Sequence, residues 1–147
     1  MTELRFHDQA AGLLTQDAFS FIVDHLLKHA LRTQEFLTLV IFVLERSSRE
    51  ATATVDEYAS ELARLIRHTV RETDLVGYTT DGMLSLMLES TAGDHVGHVL
   101  ERLDGPLERF ATASTLRISI GAASCPTDAI RLDELLRHAM SQRKAAH

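Results

Sequence analysis

The sequence predicts an α/β fold, a central and mostly antiparallel sheet flanked by packed helices, and two observations carry that prediction. Segments with apolar residues at helical spacing alternate with short β-branched runs along the chain. Two of the runs flank the polar turn Thr79-Thr80-Asp81-Gly82, as in a hairpin. The order reads α-β-α-β-β-α-β-α in a single domain over 1–147.

The first helix is expected over 15–31, where Phe19, Ile22, Leu26 and Ala30 recur on one face and Asp17 sits in the first turn. The run 36–44 (FLTLVIFVL) is continuous, β-branched and aromatic-rich, and too short for a confident helix, which suits a strand buried on both faces. A polar loop, 45–53, follows. Thr54-Val55-Asp56-Glu57 then has the spacing of a capping box, opening a helix that carries Tyr58, Leu62, Leu65, Ile66 and Val70 and ends near Glu72.

Strands are expected at 75–78 and 83–88. The helical spacing of Val96, Val99, Leu100, Leu103 and Leu107 predicts a third helix over 91–110, which Gly105-Pro106 should break or kink. Leu116, Ile118 and Ile120 alternate with Arg117 and Ser119 as in a strand. Leu132, Leu135, Leu136 and Ala139 mark the last helix.

Composition narrows the function classes. With 147 residues, 45% of them apolar, the chain can bury one sizeable core. A formal charge of −6 argues against a nucleic-acid partner. No apolar run approaches the roughly 20 residues that span a bilayer, and the first twelve residues lack a signal peptide's apolar stretch. A cytoplasmic protein without membrane insertion is therefore expected. The single cysteine, Cys125, reads as a small residue packed at a strand end. His25/His29 and His95/His98 are each about one helical turn apart, but two ligands do not make a structural zinc site. No metal or other cofactor is expected.

Five segments in order resemble the GGDEF (diguanylate cyclase) family over nearly the whole chain. DQAAGLLTQDAF carries Asp8, Gly12, Leu13 and Phe19 in register with the family's opening signature. FLTLVIFVL matches the strand that delivers the first metal-binding aspartate, and RETDLVGYTTDGMLSLML matches the approach to the signature hairpin. SIGAASCP and DELLRHA match the last strand motif and the helix after it. The resemblance implies a nucleotidyl-cyclase-like fold and a bacterial signalling role. It also implies that catalysis would join two GTP molecules with the help of two divalent metal ions, which prefer hard carboxylate ligands.

At those positions the chain departs from the family. The first-strand aspartate is Val43, and the acidic signature positions fall on Gly82 and Met83. Thr80 and Asp81 replace the glycine pair, and the loop after Glu45 is shorter than in the family. The resemblance therefore implies a degenerate domain that is not an enzyme. An Arg-x-x-Asp inhibitory site is kept as Arg71-Glu72-Thr73-Asp74, five residues (Leu75 to Thr79) ahead of the signature remnant, and Arg102 matches a second arginine that often completes the site across two copies. By resemblance, Arg71, Asp74 and Arg102 would bind cyclic di-GMP. A guanidinium fork suits guanine O6 and N7 or a phosphate, and a carboxylate accepts from guanine N1 and N2. The expected partners are cyclic di-GMP and a protein not named by the sequence, with a ligand-bridged homodimer as one form. The alternative is a nucleotide-independent protein–protein interaction scaffold, to which apolar Val43 and Met83 would contribute.

Overall fold

The computed structural model describes residues 7–8, 13–46, 55–79, 83–89 and 93–145. Among them the elements are β1 (His7–Asp8), β2 (Leu13–Leu14), α1 (Gln16–Thr33), β3 (Leu37–Arg46), α2 (Val55–Thr69), β4 (Leu75–Tyr78), β5 (Leu84–Glu89), α3 (Gly93–Ser114), β6 (Leu116–Cys125), α4 (Leu132–Ser141) and β7 (Lys144–Ala145). All eight predicted elements are present in order. Three two-residue strands join them, too short to leave a periodicity in the sequence. Gly12, Thr54 of the capping box and residues 80–82 of the signature remnant lie outside the described residues.

The strands form one sheet in the order β1-β2-β4-β5-β3-β6-β7. Among the described residues, only β2 and β4 pair in parallel. At the centre β3 pairs antiparallel with β5 on one side and, over ten residues, with β6 on the other. Strand alternation then sorts the apolar side chains of β3 into two cores. Val40 and Phe42 join Leu62 and Ile66 of α2 and Val99, Leu103 and Leu107 of α3. Leu39 and Ile41 join Phe19, Val23 and Leu27 of α1 and Leu135 and Ala139 of α4. This is why 37–42 has no polar alternation: both faces are covered.

Local chemistry sets the ends of α1. Thr15 caps its start, the hydroxyl accepting from the Ala18 N–H at 3.3 Å, and Gln34 closes it in the left-handed region at φ 58°. Two helices differ from expectation. α2 stops at Thr69, short of Glu72, because 70–74 turns to enter β4. α3 runs through Pro106 without a break. Gly105 has no Cβ to meet the proline ring, which removes the usual clash at the preceding residue, and Leu103 and Leu107 anchor both sides in the core. Cys125 ends β6 fully buried, and burial pushes its thiol pKa up.

Two glycines let elements approach closely. A Cβ at Gly77 would lie 2.8 Å from the Leu14 carbonyl oxygen and from Phe19, where β4 pairs with β2. A Cβ at Gly121 would overlap the Ala139 carbonyl of α4. The glycine of SIGAASCP is thus a packing requirement between β6 and the last helix.

Candidate functional site: the turn before β4 and the face of α3

The segment between α2 and β4 is a tight, fully tied turn. The Asp74 N–H donates to the Arg71 carbonyl at 3.0 Å, and the Arg71 N–H donates to Asp74 Oδ2 at 3.1 Å. The Arg71 guanidinium closes over the same carboxylate, with Nε 3.4 Å from Oδ2 and Nη2 3.4 Å from Oδ1. The two ends of the pair differ sharply in exposure: the Asp74 side chain is 0% exposed and that of Arg71 47%. This is therefore more than a surface ion pair. A buried carboxylate fixes an arginine whose outer face meets solvent.

Arg67, one helical turn before Arg71 on α2, ties the turn from outside. Its Nη1 donates to the Asp74 carbonyl at 2.6 Å and its Nη2 to the Arg71 carbonyl. Glu89, at the end of β5, shares the electrostatics of this corner. Its pKa is raised, first by burial and then by the carboxylates of Asp74 and Glu35, against the lowering effect of Arg71. Sequence reasoning missed both: Arg67 lies four residues before Arg71, a spacing that was the available signal, whereas Glu89 acts through tertiary proximity.

Arg71 and Arg102 line one open cleft of about 490 Å³, together with His98 and Glu101 of α3. That volume falls within the range of small-molecule sites. Both arginines of the cleft belong to one chain. None of the ion pairs among the described residues involves His98, Glu101 or Arg102. The spacing of His98 and Arg102, i and i+4 on α3, was the available signal that His98 shares the arginine's face.

The positions that the sequence resemblance sets against the family's catalytic residues lie elsewhere. Val43 faces Ser119 across the β3–β6 ladder, half-buried against the α1/α4 core. Met83 packs against the same core, its carbonyl accepting from the buried Thr79 N–H at 2.9 Å. Glu45 is exposed near the end of β3, while Asp81 and Gly82 are outside the described residues. His25 and His29 are exposed on α1, and the described residues contain no group of three or more His, Cys, Asp or Glu able to hold a metal ion. None of the described helices is long and apolar enough to cross a membrane.

No family model and no curated protein matches the chain by sequence. Solved structures match its fold. The GGDEF domain of YfiN (TpbB) from Pseudomonas aeruginosa superposes with a TM-score of 0.73 at 22% identity, covering 91% of this chain and 84% of that one. The chain has a GGDEF-like fold. The coiled-coil and GGDEF domain of DgcB from Caulobacter crescentus, solved in complex with cyclic di-GMP, gives a TM-score of 0.64 at 12% identity over 92% of this chain and 77% of that one. The diguanylate cyclase SiaD of Pseudomonas aeruginosa, solved with its activator SiaC, gives 0.74 at 17% identity over 95% of this chain and 57% of that one. In this GGDEF-like fold, the two sequence-predicted arginines converge on one cleft, while Val43 and Met83 are packed into apolar surroundings.

Proposed function

We propose that this GGDEF-like chain is a non-catalytic receptor for cyclic di-GMP that signals through a protein partner. One observation carries the reading: Arg71, locked by the buried Asp74 carboxylate, and Arg102 line one cleft. Two guanidinium groups can serve a guanine's acceptor edge and a phosphate of the same ligand. Asp74, with no exposed oxygen, acts by holding Arg71 rather than by touching the ligand. The complex of DgcB with cyclic di-GMP supports the ligand class, and that of SiaD with SiaC supports a protein partner.

The metal ions implied by the fold family do not fit the residues here. Val43 offers no ligand atom, and the Met83 thioether is a soft donor packed against the core. On this reading the chain does not convert GTP. A second reading, a nucleotide-independent scaffold, draws on Phe21, 72% exposed beside an open cleft where α1 meets Leu132 and Leu136 of α4. Val43 and Met83 are half-buried against the α1/α4 core and do not line that cleft.

Calorimetric titration with cyclic di-GMP, with GTP as control, tests the receptor reading. Micromolar binding that is lost in the Arg71→Ala, Asp74→Ala double variant supports it. Absence of heat at high micromolar ligand overturns it and leaves the scaffold.

A further inference from the structure

The cleft contains one acid among its bases. Arg71, Arg102 and His98 suit an anion, yet Glu101 lines the same cavity. A site built for phosphate alone gains nothing from a carboxylate, which repels the ligand at close range. A ligand that carries hydrogen-bond donors beside its anionic groups would need an acceptor in the cleft. Asp74 cannot supply it, because its side chain is 0% exposed and both oxygens are turned to Arg71. Glu101 is exposed on α3, and among the described residues no ion pair occupies it.

We infer that Glu101 is the specificity-determining residue of the cleft, accepting hydrogen bonds from the N1–H and N2 amino group of a guanine while an arginine donates to O6 and N7. The inference rests on the reading of the cleft as a cyclic di-GMP site. Guanine presents donors at N1 and N2 beside acceptors at O6 and N7, so a carboxylate and a guanidinium side by side match its two edges. Adenine carries an unprotonated N1 and no N2 amino group. Set against Glu101, it would pair an acceptor with an acceptor and forgo the hydrogen bonds that guanine makes there. The cleft should therefore prefer a guanine dinucleotide to its adenine counterpart.

The test is a pair of titrations, with cyclic di-GMP and cyclic di-AMP, on the wild-type chain and on Glu101→Gln. Glutamine keeps the shape of the exposed side chain, removes its charge and puts an amide N–H₂ against the guanine donors. Loss of charge-assisted hydrogen bonds should weaken cyclic di-GMP binding by roughly 10- to 100-fold. The preference over cyclic di-AMP should shrink with it. Wild-type binding of cyclic di-GMP that Glu101→Gln leaves unchanged overturns the role of Glu101 and leaves the receptor reading standing. Equal wild-type affinity for the two dinucleotides likewise overturns the selectivity. No wild-type binding of either removes the receptor reading, and this inference with it.

Discussion

The two ends of β4 and its hairpin differ in how they treat charge. At the start of the strand, Asp74 is buried and answered by the Arg71 backbone and guanidinium, with Arg67 fastening both carbonyls. Beyond its far end, Met83 packs against the α1/α4 core, and Val43 of β3 packs against the same core. One end maintains a desolvated carboxylate, which persists only when its partners are in place. At the other end, Val43 and Met83 present apolar side chains that pack against α1 and α4. The first end rests on a matched charge pair, in which removing one partner strands the other, and the second on apolar packing alone.

That contrast can be broken at Val43. Val43→Asp places a carboxylate against the apolar core and should destabilise the chain by about 2–3 kcal/mol, read by chemical denaturation. It should not produce cyclic di-GMP from GTP. Turnover by this variant would contradict the account of that end.

The other end sharpens it. Arg71→Ala removes the guanidinium from a wholly buried carboxylate and should cost about 2 kcal/mol. Asp74→Ala leaves the arginine unpaired. The double variant should cost less than the sum of the two, since the partners act as a unit. Strict additivity would show the pair to be incidental.

A smaller effect is expected at Glu89, whose pKa is raised from the usual 4.5 chiefly by burial. Its stabilising contribution is fully present below the unfolded value and is lost as pH rises through the folded value. Glu89→Gln should therefore stabilise the chain at pH 7, and the gain should vanish below about pH 4.5. A gain independent of pH would assign the effect to packing instead. The smallest change in stability is expected from Arg102→Ala, within about 0.5 kcal/mol because the side chain is exposed, although ligand binding should be lost.

Much of this architecture is legible in the sequence. The mostly apolar run at 37–42, whose one polar residue Thr38 is buried against Ser124, follows from a sheet covered on both faces, and the Gly121 of SIGAASCP from the close approach of α4. At Pro106 the expected break does not occur, since Leu103 and Leu107 hold the helix in the core on both sides of it. The site is readable only in part. Arg71 and Asp74 are local in the chain, so their spacing encodes their turn. Arg102 was expected to act from a second copy, whereas the cleft also unites it with Arg71 of its own chain. His98 and Glu101 lie on α3 beside Arg102, within reach of helical spacing, whereas Glu89 reaches the corner from β5 through packing between distant elements, which spacing does not encode.

The most direct measurement of the central claim is a backbone NMR titration of the chain with cyclic di-GMP, following amide shifts residue by residue. The account predicts the largest perturbations at 71–74 and 98–102, with little change at Val43 and Met83. Perturbations centred on Val43 and Met83, or none at all, would contradict it.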